Sequence, residues 1–454
     1  MAQRKIDVVL DSVRRLIRLG ATANLVNLLQ KQHPADLAQV FSELGEKDRA
    51  TAFANLVERN SKLAMEALSE LGPEAGAALL ADRSAEDIAR LLHELPSDDA
   101  AAIVDYLPEP LSAAVLELIE RRPGDEVGEL LEYEEQTAGR IMNPKVFALS
   151  EDMTAGEAII TLQGSRDVEM VFYLYVVDVR RHLVGVISLR RLLLVPPSTP
   201  LKRIMTTDLI SVRTDTDQEE VARQVASYNL LAIPVVDEEN KLVGIITVDD
   251  VIDVIKDEAT EDIYRLAGVS TDERVFTPMA ESLRKRFPWL IVNLATAFIA
   301  TGVIALFDAT TAAWVGLVKF LPIVPGMGGN AATQTLTVIV RGLALGELTW
   351  ANSRQALLKE VVVGVGNGMA TGLVAGGAVW LFGGQPIIGV LLFLAMIIDL
   401  FVAGAAGTLI PLGLKAMKVD PALASTVFIT TFTDVAGFAS FLGLAALYLR
   451  STHH

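Results

Sequence analysis

The sequence predicts a multidomain membrane protein: an all-α superhelical N-terminal domain, an α/β pair of repeated modules, and an α-helical transmembrane domain of five spans. Three observations predict it. First, charge is divided along the chain. From Leu283 onward there are ten Lys/Arg and six Asp/Glu, net +4, and the total of −17 therefore leaves −21 for the residues before it. Second, the +4 part holds apolar runs of the length that crosses a bilayer, about 20 residues. Third, a phrase of two strands, a turn and a helix occurs twice between the acidic start and the apolar end. At 454 residues the chain exceeds one ordinary domain.

Residues 1–135 are rich in Ala, Leu, Glu and Asp, with apolar residues at helical spacing. The opening MAQRKIDVVLDSVRRLIRL mixes basic and apolar residues without a continuous apolar core, so it is expected to be an amphipathic helix and not a signal peptide. Ser84 followed by Ala85, Glu86 and Asp87 reads as a capping box, and Ser97 before Asp98 and Asp99 as another helix start. The phrases HPADLAQVF, RSAEDIARLL and LPSDDAAAIV recur at irregular spacing, which predicts short helices stacked into a curved solenoid. Acids at helix starts have an ordinary electrostatic role. Asp98 and Asp99 are also candidate cation ligands.

Residues 136–198 and 199–256 form the repeat. VFYLYVVD with HLVGVISLRRLL in the first copy corresponds to LLAIPVVDEENKLVGIITVDDVIDVI in the second. Each copy follows a lead-in, GRIMNPKVFALSEDMTAGEAI or KRIMTTDLISVRTDTDQEEVA, and Glu238, Glu239 and Asn240 suit a hairpin tip. This duplicated layout resembles a tandem pair of CBS domains. The resemblance implies a regulatory module, either with ATP bound against Val235, Val236 and residues 247–250, or with no nucleotide.

Acids then accumulate. Asp250, Asp253 and Asp257 stand at i, i+3 and i+7, and Glu258, Glu261 and Asp262 continue the pattern into a connecting segment, residues 257–283. One helix would align them on a face. Like charges at that spacing repel by a few tenths of a kcal/mol, which leaves two readings: a solvated linker, or a stripe neutralised by divalent cations, whose preference is for carboxylate oxygens.

Five spans are expected within residues 284–454: 287–307, 312–345, 356–382, 387–414 and 421–449. The second is too long for one straight helix and is expected to break at PIVPGMGGN, residues 322–330, where glycines and Asn330 would line a watery cavity. Gly368, Gly372 and Gly376 read as a helix-packing seam. Asp434 lies near the middle of the last span among Thr430, Thr431, Thr433, Ala436 and Gly437. A charge there costs roughly 3 kcal/mol or more, so it is expected to line an ion path. Asp399 is a second intramembrane acid without an assigned place, and Lys319 is expected to reach toward the outer surface. Arg341, Arg354, Lys359, Lys415 and Lys418 fall in alternate loops, which puts the acidic part in the cytoplasm and the C-terminus outside.

Several classes are disfavoured. The acidic balance lacks the basic face that nucleic acid requires. There is no cysteine, hence no disulfide or thiolate metal site. The five histidines have no metal-ligand spacing, and no phosphate loop or nucleophile motif occurs, so the chain is not expected to be an enzyme.

The order of parts, with PGMGGNAATQTLTVIVRGLALGEL, VDPALASTVFITTFTDVAGF and TVDDVIDVIKDEATEDIYRLAGV, resembles the MgtE family of magnesium transporters over nearly the whole chain. That resemblance implies a homodimer in a bacterial (inner) membrane with the path between its two membrane domains. It implies Mg2+-selective, channel-like import, closed by Mg2+ binding to the cytoplasmic domains. Position by position it makes Asp434 the pore carboxylate and puts Asn330, with the Gly328 and Gly329 backbone, in the pore lining. Asp250, Asp253, Glu258, Glu261, Asp262, Asp217 and Glu219 become regulatory acids, and Asp98 or Asp99 the N-domain acid facing the CBS pair. Asn229 departs from the Asp of some relatives, which weakens one sensor site. Two alternatives stay open: a CBS-regulated transporter of Co2+, Mn2+ or Ni2+, and a membrane-anchored sensor without transport.

Overall fold

The computed structural model describes residues 2–120, 126–165, 173–275, 277–382, 384–423 and 426–452. It forms two compact units that divide between Val254 and Ile255. Each is taken by itself.

In the first unit, helices run from Ala2–Arg18 to Glu109–Glu120, most of them eight to fourteen residues long. Their inward faces supply Leu37, Phe41, Phe53, Leu56, Met65, Leu68, Leu80, Ile88 and Leu91, all almost fully buried. Each such side chain contributes roughly 1.5–3 kcal/mol. Phe41 and Phe53 meet edge to face at 6.4 Å. Ser84 caps its helix, its hydroxyl accepting from the Asp87 amide at 3.3 Å, but the Asp87 carboxylate turns to Arg90, so only half of the expected capping box is described. Ser97 does not cap. Pro96 holds that place, and Ser97 is the buried first residue of α1 (Ser97–Asp105). Proline before a first turn loses no hydrogen bond, since those amides have no intrahelical acceptor.

The repeat forms two three-stranded sheets of one design. In the first, β1 (Ala148–Ser150) runs parallel to β2 (Tyr173–Val177), which is antiparallel to β3 (Leu183–Ser188). The second has β4 (Val212–Arg213), then helix α2 (Gln218–Tyr228), β5 (Ala232–Val236) and β6 (Leu242–Thr247), paired alike. Registers correspond, Val176 opposite Gly185 and Val235 opposite Gly244. The tips correspond too. Asp178 Oδ1 accepts from the Arg180 and His182 amides, and Asp237 Oδ1 from the Glu239 and Lys241 amides, all at 2.8–2.9 Å. Asn240 takes the left-handed conformation that asparagine tolerates. Val171 and Phe172, expected at the start of β2, lie outside the described residues.

β6 leads into α3 (Val248–Ala267), twenty residues without interruption. The boundary expected between 256 and 257 therefore falls inside a helix. Apolar residues at Val251 and Val254 continue to Ile255 and on, so the periodicity that starts the helix also carries it past the module.

The second unit holds α4 (Met279–Ala305), α5 (Ile323–Ala344), α6 (Ser353–Leu381), α7 (Pro386–Ala416) and α8 (Thr426–Thr452). By length and composition α4, α6, α7 and α8 can each cross a membrane. α5 is not among them, because the Gly, Asn, Gln and Thr residues of GMGGNAATQTLT dilute its hydropathy. The five expected spans are thus four candidate spans and one more polar helix. The expected break at 322–330 is also corrected. α5 begins at Ile323 and continues through Gly326, Gly328, Gly329 and Asn330. Pro325 is its third residue, where proline is tolerated. The irregular backbone comes earlier, in the 3-10 turn Val315–Phe320, which carries an exposed Lys319. Ala424 and Ser425 of the expected fifth span lie outside the described residues.

The glycine seam is present on α6. A Cβ on Gly368 would stand 2.8 Å from Ile397 Cα, on Gly372 3.0 Å from Phe393 O, and on Gly376 2.7 Å from Gly389 O. Gly364 extends the row against Leu400 O. α6 and α7 therefore touch backbone to backbone.

Candidate ion-binding sites

α8 carries Asp434, half-buried, in a stripe of hydroxyls that bond back to their own helix. Thr430 and Thr431 donate to Val427 O at 3.1 and 2.7 Å, and Thr433 to Thr430 O at 2.9 Å. α5 and α8 approach closely at this level. A Cβ on Gly329 would lie 3.3 Å from the Thr430 methyl, and one on Gly437 3.0 Å from Pro325 Cα. Asn330, next along α5, is exposed. The helix bearing Asn330 thus meets the stripe bearing Asp434, while the two side chains form no described hydrogen bond. Asp399, on α7, is wholly buried with no hydrogen-bond partner for either oxygen among the described residues.

In the first unit, Asp98 and Asp99 open α1 and face the start of α3. Burial raises the Asp98 carboxyl well above the usual range, and repulsion from Asp250 and Asp99 adds to it. Burial also raises Asp99, with Asp249, Glu70 and Asp253 contributing against a hydrogen bond from Ser69. Asp250 is pushed up to about 6, mainly by burial. Its carboxylate accepts from the Thr247 amide at 3.1 Å and the Thr247 hydroxyl at 2.5 Å, which caps α3. Asn143 Nδ2 reaches Asp98 Oδ1 at 3.5 Å. Sequence spacing could not show that residues near 98 and 250 share one surface.

Asp217 caps α2, accepting from the Glu219 amide at 2.8 Å. Asn229 closes the same helix in the left-handed conformation, φ 50°. That is a backbone reason for asparagine there, independent of any ligand.

In the second unit, the end of α3 is tied to the segment between α7 and α8. Arg265 pairs with both Glu261 and Asp420. The Thr426 hydroxyl donates to Leu266 O at 2.8 Å. Asp262 is pushed up to about 6 by burial and by the Asp420 charge. Glu258 is half-buried and Asp253 exposed. Arg265 and Asp420 were not among the expected site residues. They are 155 positions apart and no periodicity connects them. Among the described residues, no three His, Asp or Glu side chains converge as a metal-ligand set. The candidate acids are close enough to repel, but within one chain they do not close around an ion.

Three family profiles match in the same order: the MgtE intracellular N domain at residues 32–136, the CBS domain at 138–198 and 201–257, and a divalent cation transporter profile named MgtE at 321–444. The magnesium transporter MgtE of Thermus thermophilus is 38% identical over 337 residues, 73% of this chain and 74% of that protein. The chain belongs to the MgtE family. The MgtE of Enterococcus faecalis is 37% identical over 326 residues, 72% of either chain. Among solved structures, the cytosolic domain of the Mg2+ channel MgtE in complex with ATP is 38% identical. It covers 54% of this chain and 99% of its own, with a TM-score of 0.51. The soluble part of a magnesium transporter is 32% identical, with 56% and 99% coverage and a TM-score of 0.50. MgtE proteins are transporters and not enzymes, so this member is a multi-pass membrane protein with a cytosolic N-terminal part.

Proposed function

We propose that this MgtE protein conducts Mg2+ into the cell through a path lined by Asp434, as a homodimer in the bacterial inner membrane, and that its cytosolic acids close that path when internal Mg2+ is high. The observation that carries the reading is a half-buried carboxylate on a hydroxyl-rich stripe of α8, in a chain related to magnesium transporters over most of its length. Two Asp434 carboxylates across a two-fold axis suit an ion that sheds water reluctantly and keeps several waters when bound. The membrane potential suffices as drive. At about 2.3 kcal/mol per charge per 100 mV, a divalent ion gains roughly 4.6 kcal/mol.

The regulatory acids fit a hard cation. Asp98, Asp99 and Asp250 are oxygen donors raised by burial and mutual repulsion, the condition a bound cation relieves. They, with Asp253, would hold it in the first unit; Glu258, Glu261 and Asp262 would do so near the end of α3. A cation supplies the neutralising charge, and the residues supply the coupling, since α3 carries both groups. In this reading Asp217 and Glu219 act in the second CBS module. The relative crystallised with ATP supports ATP as a ligand of the CBS pair, beside Val235, Val236 and residues 247–250.

The test is Mg2+ uptake by liposomes under an imposed potential. Asp434→Ala should bring uptake to the level of protein-free liposomes. Uptake equal to wild type would refute the assignment of Asp434. Co2+, Mn2+ and Ni2+ in the same assay decide the ion, and no wild-type uptake of any ion would favour a sensor.

A further inference from the structure

Asp399 has no role in that account, and its surroundings are unusual. It lies within α7, one of the four candidate spans. Its exposure is 0%, and neither oxygen has a hydrogen-bond partner among the described residues. Buried polar groups are normally paired, and a carboxylate inside a membrane segment without a partner is costly whether ionised or neutral. An ionised acid lacks a donor here, and a neutral one lacks an acceptor for its proton. A structural hydrogen bond between helices therefore does not explain it.

The group covering it is equally specific. Gly328 of α5 lies directly against the carboxylate, and a Cβ there would stand 2.7 Å from Asp399 Cγ. The cover is bare backbone, so no side chain need swing aside when α5 moves off α7. The next residue, Gly329, faces Thr430 and Thr433 of α8. One turn of α5 thus touches both the buried acid and the hydroxyl stripe of Asp434.

We infer that Asp399 is a second cation-binding carboxylate of the membrane unit, which takes a divalent cation passing from Asp434 once α5 separates from α7 at Gly328. The inference rests on the reading of Asp434 as lining the ion path. Two acids in series, one half-exposed and one covered, give the ion successive sites instead of one deep trap, and conduction needs binding that is favourable yet weak enough to leave.

The experiment uses the full chain in lipid, with Mg2+ as probe. Infrared difference spectra, with minus without Mg2+, are compared for wild type, Asp399→Asn and Asp434→Asn, beside liposome uptake. The expected result is a Mg2+-induced shift of a carboxylate band that Asp399→Asn removes and Asp434→Asn leaves in part. The Mg2+ concentration for half-maximal uptake should rise roughly tenfold in Asp399→Asn. Asp399→Ser serves as a second variant, and elution volume and thermal midpoint confirm that the variant used is folded. A protonated-acid band that ignores Mg2+ and vanishes in Asp399→Asn, with half-maximal uptake unchanged, would overturn the inference and make Asp399 a neutral structural acid. If wild-type protein takes up no Mg2+, the transport reading fails separately, and the infrared comparison still decides whether Asp399 binds the ion.

Discussion

Asp250 has a structural duty and an electrostatic cost in one side chain. It caps α3 through Thr247, yet it faces Asp98 and Asp99 in a half-buried place. Its carboxyl is raised to about 6, so the folded chain holds that proton more tightly than the unfolded chain does, near 3.9. The associated stability is full below about pH 4 and is lost as pH rises through about 6. Asp250→Asn keeps an acceptor for the Thr247 amide and removes the charge. Without Mg2+ at neutral pH it should raise the thermal midpoint of the full chain by at least about 2 °C and flatten its dependence on pH between about 4 and 7. A midpoint unchanged or lowered at neutral pH would show that the cap outweighs the repulsion. The sequence made such acids visible as candidates, because a charge in an apolar run and a stripe of acids both stand out. Their surroundings were not visible. Asp434 stood out among hydroxyl residues while Asp399 had no assigned place, and only tertiary contact shows that one is half-exposed and the other covered.

Helix α3 is defined by its ends: the Thr247 and Asp250 cap at the start, and the Arg265 clamp on Glu261 and Asp420 at the finish. Removing the clamp leaves Glu261, Asp262 and Asp420 close together without their cation. Arg265→Ala should therefore leave these acids for a divalent cation to neutralise, and closure by internal Mg2+ should need about fivefold less of the ion, the equivalent of about 1 kcal/mol for a partly exposed pair. Uptake against internal Mg2+ concentration measures it, and an unshifted curve would remove the clamp from the mechanism. Four of the five expected spans were legible, since apolar length is a property of the sequence. The start of α5 was misread because Pro and Gly signal a break in water, whereas a first-turn proline costs nothing and packed neighbours hold the glycines in a helix. The module boundary near 256 falls within α3, because the helical periodicity runs on past the end of the repeat.

The chain as a whole separates a −21 segment from a +4 segment. Like charges within the acidic part repel, an effect that falls off within about 10 Å at 0.1 M salt. Neutralising Asp250, Glu258 and Glu261 together should leave the path open at high internal Mg2+, seen as uptake that no longer declines as the liposome interior fills. Normal closure in that variant would place the sensing elsewhere. One feature of the membrane unit bears on how any such opening is carried out. The glycine row of α6 sets its backbone directly on that of α7 over four successive contacts, from Gly364 to Gly376. Close packing repeated along the whole row, unlike the single glycine contact of α5 on Asp399, predicts that α6 and α7 travel together as one block. If the proposed path opens, the movement is then expected in α4, α5 and α8, with that block as their backstop.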